Sequence, residues 1–144
     1  MVNRYVAGSA WVAGVIIADQ GVKALMRMID PSVSVIPGFL DIATTTNTGA
    51  AFGLLAGYPW LVTLLSIVII VLLAGVFVRE KGSSLFTASF GLIIGGALSN
   101  LIDRLVFGAV LDFIAFSFWP SFNIADSCIC VGAGLLILHS VLKK

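Results

Sequence analysis

The chain has 144 residues, of which 60% are hydrophobic and 10% charged, with a mean hydropathy of +1.14 and a formal net charge of +1. A water-soluble domain has about 25% charged and about 45–50% apolar residues, so this composition excludes a soluble globular protein and predicts an integral membrane protein. The small net charge without a basic cluster also argues against a nucleic-acid-binding protein.

Four apolar segments follow one another along the chain, each near the length of about 20 residues that a transmembrane helix needs. We place them at residues 5–28, 59–78, 85–102 and 124–142. Because the connections between them are short, the predicted fold class is an all-α membrane protein, a four-transmembrane-helix bundle that forms one domain over residues 1–144.

The first segment starts near a basic residue, as a cleaved signal peptide would. Asp19, Lys23 and Arg27 continue its helical period at i, i+4 and i+8, which favours a retained span. At this spacing Asp19 and Lys23 are expected to form a structural ion pair. The loop that follows mixes proline, glycine and threonine with short apolar alternation, which predicts a small extracytoplasmic β element of one or two strands.

The later segments differ in polarity. Residues 59–78 carry no charge and predict a lipid-facing helix. Gly91 and Gly95 have GxxxG spacing, which lets a neighbouring helix approach closely and predicts that the third span is central. In the next loop, the apolar stretch Val106–Phe116 is expected to lie on the membrane surface.

The charges are distributed unevenly between the two sides of the predicted bundle. Five cations fall on one side: Arg4, Arg79, Lys81, Lys143 and Lys144. The positive-inside rule makes this side, with both termini, cytoplasmic. Six of the acids fall at the opposite ends: Asp19, Asp30, Asp41, Asp103, Asp112 and Asp126. The functional site is therefore predicted at the extracytoplasmic face.

Charged groups at the edge of hydrocarbon are costly unless they are paired or hydrated, so each such acid is a functional candidate. Asn100, Asp103 and Arg104 share a helix face, and Asn123 with Asp126 repeats the i, i+3 spacing. Asp112 stands among apolar neighbours, where desolvation would raise its pKa and let it hold a proton near neutral pH.

The chain offers few ligands for a metal ion. His139 is the single histidine, and Cys128 and Cys130 are the two cysteines. This inventory does not fit a zinc site, and the i, i+2 cysteines cannot bridge each other. No metal and no other cofactor is expected.

Five short motifs, in order, resemble those of the lipoprotein signal peptidase (signal peptidase II) family over essentially the whole chain. They are Asp19–Lys23 (D-Q-x-x-K), Asn47–Phe52 (N-x-G-A-A-F), Gly95–Arg104 (G-G-A-x-G-N-x-x-D-R, with Ser99 at the usual glycine), Val110–Phe113 (V-x-D-F) and Phe122–Ser127 (F-N-x-A-D-S).

The resemblance implies a membrane aspartyl endopeptidase that cleaves the signal peptide from diacylglyceryl-modified prolipoproteins on the amino side of the lipidated cysteine. Asp112 and Asp126 are then the catalytic pair. The implied substrate-binding residues are Asn47, Asn100, Arg104 and Asn123, and the supporting residues are Asp19 and Asp103.

The resemblance also implies a bacterial cytoplasmic (inner) membrane enzyme, acting as a monomer, whose partners are the lipid-modified prolipoprotein and membrane lipids. Inhibition by globomycin-type cyclic peptides is implied as well. Two close carboxylates cannot both ionise, so one shared proton would allow one aspartate to act as base and the other as acid, without a cofactor.

Two other functions compete with this interpretation. A proton or ion translocator could use Asp19, Asp103, Asp112 and Asp126 as a relay, although it needs polar groups through the full bilayer depth. An inactive substrate-binding homologue would keep the asparagines and lose an aspartate. Asp103 with Arg104 could also be only an ion pair that fixes the loop.

Overall fold

The computed structural model describes residues 3–50, 54–80 and 82–143. The helices are α1 (Arg4–Ile29), α2 (Pro59–Arg79), α3 (Ser84–Phe107) and α4 (Ile124–Leu142). The strands are β1 (Ser32–Ile36) and β2 (Leu40–Asn47) between α1 and α2, and β3 (Val110–Phe116) and β4 (Trp119–Phe122) between α3 and α4. The helices match the predicted segments closely, but α3 continues beyond residue 102 until Gly108, whose φ of 77° ends the helix.

Three of the helices in the described ranges, α2, α3 and α4, are long and apolar enough to cross a membrane. Helix α1 has 26 residues but carries Asp19, Lys23 and Arg27 towards its end. The chain is therefore mostly helical, with three candidate membrane helices and a small antiparallel sheet.

Helix α3 is the centre of the bundle, since it packs against α1, α2 and α4. Gly95 lets α1 approach, because a Cβ there would lie 2.9 Å from the Val15 Cβ. Gly96 does the same for α4, because a Cβ there would lie 2.5 Å from the Ala125 carbonyl oxygen. The predicted central position of this helix is confirmed.

Helix α2 contributes little to the core. Of its residues only Val62 is buried, as expected for a helix whose surface faces lipid. Its end is held by Arg4 of α1, whose guanidinium donates hydrogen bonds to the carbonyl oxygens of Phe77, Val78 and Glu80. The start of α1 and the end of α2 therefore lie at the same end of the bundle.

The four strands form one antiparallel sheet in the order β1-β2-β3-β4. The prediction of strands between the first two spans is confirmed. The apolar stretch Val106–Phe116, for which no strand was predicted, ends α3 and then forms β3. The backbone of β3 pairs with β2, for example with Asp112 opposite Thr45. Because the two strands are far apart in the sequence, the residues around β3 alone do not indicate this pairing. The sheet lies where α1 and α3 end and α4 begins, and we call this the sheet end of the bundle.

Candidate active site

Asp112 and Asp126, which we call the aspartate pair, come from different elements and meet at the sheet end. Asp112 lies on β3 and is 2% exposed, whereas Asp126 lies in the first turn of α4 and is partly buried. The Asp112 carboxylate accepts hydrogen bonds from the side-chain amides of Asn123 at 2.7 Å and Asn47 at 3.2 Å. The Asp126 carboxylate accepts from the Asn100 side-chain amide at 2.8 Å.

Asn123 positions Asp126 through a capping box at the start of α4. The Asn123 side chain accepts from the Asp126 backbone N–H at 3.0 Å, and the Asp126 carboxylate accepts from the Asn123 backbone N–H at 3.2 Å. The i, i+3 spacing noted in the sequence is therefore a helix N-cap that also holds a carboxylate. The Asn123 Nδ2 atom lies 3.2 Å from the Asn100 Oδ1 atom, which joins α3 to the same network.

The surroundings of Asp112 favour its protonated form. Burial, followed by the nearby negative charge of Asp126, raises the pKa of Asp112 to about 6, although the hydrogen bonds from Asn47 and Asn123 act in the opposite direction. This agrees with the effect expected from its apolar neighbours in the sequence. Asp112 can therefore hold a proton close to neutral pH.

A second group of charges, which we call the ion cluster, lies behind the aspartate pair and comprises Asp19, Lys23, Arg27 and Asp103. The Lys23 Nζ atom lies 2.7 Å from the Asp19 Oδ2 atom and 2.8 Å from the Asp103 Oδ2 atom, and these three side chains are fully buried. The Arg27 Nη2 atom lies 2.8 Å from the Asp103 Oδ1 atom. Two cations thus neutralise two carboxylates and connect α1 to α3.

Hydrogen bonds also link the ion cluster to the surroundings of the aspartate pair. Lys23 donates to the Asn100 Oδ1 atom at 2.9 Å, which leaves the Asn100 Nδ2 atom to donate to Asp126. Asp19 accepts from the Ala125 backbone N–H at 2.9 Å, directly before Asp126. The predicted i, i+4 ion pair of Asp19 and Lys23 is confirmed.

Asp103 does not pair with Arg104, so the alternative of a simple loop-fixing ion pair is wrong. Neighbouring residues on a helix point to different faces, and Asp103 faces Lys23 and Arg27 on α1. Asp103 also accepts from the Leu111 backbone N–H at 3.2 Å, so it holds the strand that carries Asp112.

Arg104 faces the connection that follows β2. Its Nη2 atom donates to the Gly49 carbonyl oxygen at 3.0 Å. Its buried Nε atom has no hydrogen-bond partner among the described residues. The motif that begins at Asn47 is described as far as Ala50; its last two residues, and the cations Lys81 and Lys144, lie outside the described residues.

Sequence reasoning missed two members of this network. Gln20 donates to the Ser99 carbonyl oxygen at 3.0 Å and to the Asp103 carboxylate at 3.1 Å, and Arg27 was noted only for its helical spacing. Gln20, Lys23 and Arg27 stand at i, i+3 and i+7, which is the signal that could have placed all three on one face.

Within the described ranges no three His, Cys, Asp or Glu side chains are arranged to share a metal ion.

The signal peptidase II family model matches residues 11–142. The chain belongs to the signal peptidase II family. Two relatives named lipoprotein signal peptidase are similar over most of their length. The one from Halothermothrix orenii is 44% identical over 87% of this chain and 88% of its own. The one from Symbiobacterium thermophilum is 38% identical over 90% of each chain.

Two solved bacterial membrane enzymes, both studied by the in meso method, have a similar structure. One, at 2.3 Å resolution, has a TM-score of 0.85 and 33% identity, and the match covers 94% of this chain and 87% of that one. The other, at 1.9 Å, has a TM-score of 0.81 and 35% identity over 95% of this chain and 93% of that one. The signal peptidase II fold is thus a membrane-enzyme fold, and the chain is a member of a peptidase family.

Proposed function

We propose that this member of the signal peptidase II family is an aspartyl endopeptidase that cleaves the signal peptide from diacylglyceryl-modified prolipoproteins, on the amino side of the lipidated cysteine. The names of its relatives support a lipoprotein signal peptide as substrate. The observation that carries the aspartyl mechanism is that Asp112 and Asp126 join one hydrogen-bond network of neutral asparagine amides. Among the described residues, neither of the two makes an ion pair.

In this mechanism the two aspartates divide the acid and base roles. Asp112, with its raised pKa, holds the shared proton and donates it to the oxygen of the scissile carbonyl. Asp126 takes a proton from the attacking water, whose oxygen forms a bond to the carbonyl carbon. Asp126 then returns that proton to the cysteine nitrogen as the peptide C–N bond breaks. At the same time one hydroxyl of the tetrahedral intermediate gives its proton back to Asp112 as the carbonyl re-forms, so the protons balance over one cycle.

The asparagines and Arg104 would orient the substrate and the carboxylates. Asn100 and Asn123 fix the aspartate pair from α3 and α4, and Asn47 approaches from β2. The Arg104 Nε atom, which has no hydrogen-bond partner within the described ranges, is a donor for a backbone carbonyl oxygen of the substrate peptide. Asp19 and Asp103 support the site through the ion cluster.

We further propose that α1 is the fourth span and that both termini are cytoplasmic. At about 1.5 Å per residue, α1 is long enough for a hydrocarbon core of about 30 Å. Arg4 and Arg79 lie at the end opposite the sheet, which fits the positive-inside rule. Reporter fusions after residue 144 should therefore behave as cytoplasmic and fusions near Ser32 as extracytoplasmic; an external C-terminus would contradict this orientation.

A charge relay across the membrane receives less support. The buried charged residues in the described ranges are Asp19, Lys23, Asp103 and Asp112. These residues lie in the network at the sheet end, and a translocation path would need polar groups at the other end as well.

The test is cleavage by the purified protein in detergent. We expect a diacylated prolipoprotein to shift on a gel, the unacylated precursor to remain uncut, and EDTA to leave cleavage unchanged. Cleavage that is lost on chelation and restored by zinc would overturn the aspartyl mechanism. Cleavage of neither precursor by a folded sample would overturn the proposed substrate.

A further inference from the structure

A cavity lies at the sheet end, and neither Asp112 nor Asp126 is among the residues that line it. Its volume is about 480 Å³, and it opens between the last turn of α1 and the sheet. Its lining comprises Arg27, Asp30, Thr44, Thr45, Thr46 and Leu111. The proposed peptidase mechanism assigns no role to this cavity.

The lining carries one cation and one anion. The Arg27 guanidinium is stacked over the Phe107 ring at 4.0 Å and uses its Nη2 atom for Asp103. A guanidinium has five N–H donors, so this contact leaves donors for a ligand, and its side chain is 26% exposed. Asp30 is exposed, its backbone N–H is bonded to the Met26 carbonyl oxygen, and its carboxylate accepts from the Thr44 hydroxyl.

The position of the cavity fits the headgroup layer of a membrane. Helices α1 and α3 end beside it, at Ile29 and Phe107, and helix ends lie where hydrocarbon gives way to polar headgroups. Next to the cavity, Met28 is 84% exposed and Phe107 is 56% exposed. Phe107 stacks on Arg27 and Met28 follows it in the chain, so these side chains offer an apolar surface beside Arg27 for acyl chains.

We propose that this cavity binds the phosphoethanolamine headgroup of a phospholipid. The phosphate accepts hydrogen bonds from the Arg27 guanidinium and from the hydroxyl of the exposed residue Thr46. The primary ammonium donates to the Asp30 carboxylate. The two opposite charges of the headgroup thus face the two opposite charges of the lining.

The lining distinguishes this headgroup from the other common ones. A choline headgroup has no N–H donor for Asp30 and is recognised by aromatic rings, and none of the six lining residues is aromatic. A phosphatidylglycerol headgroup carries only the negative charge, so the Asp30 carboxylate would face no cation. Phosphatidylethanolamine is therefore expected to bind more tightly than phosphatidylcholine or phosphatidylglycerol.

The test measures lipid binding by the purified full-length protein in detergent, by native mass spectrometry and by thermal unfolding. The probes are phosphatidylethanolamine, phosphatidylcholine and phosphatidylglycerol with the same acyl chains. We expect phosphatidylethanolamine to bind about tenfold more tightly, because the other two headgroups lack the charged hydrogen bond to Asp30. Equal binding of all three lipids would overturn the proposal.

Two variants test the lining without breaking the ion cluster. Asp30→Asn removes the anion at constant size, and Thr46→Val removes a hydroxyl but keeps the β-branched shape. Asp30→Asn should reduce the preference for phosphatidylethanolamine by about tenfold, because Asp30 binds the ammonium. Thr46→Val should weaken the binding of all three lipids alike, because each of them carries the phosphate. The matched control is Asp41→Asn, an exposed aspartate of β2 that does not line the cavity, and it should keep the full preference. An unchanged preference in Asp30→Asn, or an unchanged affinity in Thr46→Val, would contradict the site.

Two further measurements identify which ligand binds in the cavity. If soluble phosphoethanolamine stabilises the protein as strongly as the lipid does, the cavity is a small-molecule site and the lipid proposal is wrong. If Asp30→Asn raises KM for a prolipoprotein and leaves lipid binding unchanged, the cavity belongs to the substrate groove and the proposal is again wrong. Because binding is measured without substrate, it can fail or succeed independently of the proposed peptidase activity.

Discussion

The ion cluster and the aspartate pair are neighbouring groups of carboxylates that are stabilised in different ways. In the ion cluster, Asp19 and Asp103 each lie within 2.8 Å of a cationic nitrogen. In the aspartate pair, the hydrogen bonds to Asp112 and Asp126 come from asparagine side chains and a backbone N–H. Ion pairing stabilises the charged form of a carboxylate. A buried carboxylate that is bonded only to neutral donors can instead gain or lose a proton more easily.

This difference explains why the ion cluster is suited to stabilising the fold and the aspartate pair is suited to acid–base catalysis. A carboxylate that is ion-paired with a buried lysine cannot take up a proton without leaving that lysine unpaired. Such a carboxylate therefore stays charged and serves to hold two helices together. A carboxylate with a pKa near neutral, such as Asp112, can donate and accept protons during a reaction. The two groups share Asn100, through which the ion cluster orients one member of the pair.

Substitution of the aspartate pair should have the largest effect. Asp112→Asn and Asp126→Asn keep the side-chain size but can no longer exchange a proton, so each should reduce kcat by at least about 10²–10⁴-fold in the prolipoprotein cleavage assay. The double variant should be little worse than either single one, because the two residues act as a unit.

The control for this loss is Asp41→Asn, which changes an exposed carboxylate of β2 and should leave cleavage unchanged. Near-normal cleavage by either variant of the pair, with folding verified, would mean that the catalytic residues lie elsewhere.

Removal of the buried cation should instead destabilise the fold. Lys23→Met leaves Asp19 and Asp103 without their shared partner, and breaking a buried ion pair costs about 3–5 kcal/mol. Thermal unfolding in detergent should show a large fall in Tm. Adding Asp19→Asn to Lys23→Met should recover part of it, because Asp103 still pairs with Arg27, whereas Lys23 is the cation that pairs with Asp19 among the described residues. Lys143→Met, at an exposed lysine, is the matched control. A Tm equal to that of the wild type would show that the cluster does not stabilise the fold.

The raised pKa of Asp112 should make stability depend on pH in a defined direction. The folded protein binds this proton with a pKa of about 6, against an ordinary value of 3.8, so the contribution of Asp112 is complete below the lower pKa and is lost as pH rises through about 6. Relative to Asp112→Asn, the wild type should lose about 3 kcal/mol, at most, between roughly pH 4 and pH 8.

Paired unfolding series of the two proteins across this range isolate the effect of Asp112 from other titrations. A difference in stability that is constant with pH, or that changes with the opposite sign, would contradict the assignment of Asp112 as the residue that holds the proton.

A smaller effect should follow from the contact between α3 and α4 beneath the aspartate pair. A Cβ in Gly96→Ala would lie 2.5 Å from the Ala125 carbonyl oxygen, so the start of α4 must shift at a cost of about 1–3 kcal/mol. Because Asn123 and Asp126 lie in that turn, kcat should fall together with Tm. Gly134→Ala, where a Cβ meets nothing within 4 Å, should change neither. Equal behaviour of the two variants would contradict this packing.

Much of the helical framework could be predicted from the sequence. Four long apolar runs specify helices because a segment in lipid must satisfy its own backbone hydrogen bonds, and the predicted fourth span, residues 124–142, has the observed bounds of α4. The i, i+4 spacing of Asp19 and Lys23 and the i, i+3 spacing of Asn123 and Asp126 are local, so their pairing could be derived from helix geometry. In the structure the second spacing takes the form of a capping box.

The partners of the polar residues were decided only by the tertiary structure. Asp103 pairs with Lys23 and Arg27, which lie 80 and 76 positions away, and not with its neighbour Arg104. Strand β3 exists because β2 lies beside it, although its apolar sequence also fits a surface segment. Local spacing determines which residues share a face of one helix, but which faces meet depends on how the helices and the sheet pack, and this packing carries Asp112 and Asp126 into one hydrogen-bond network.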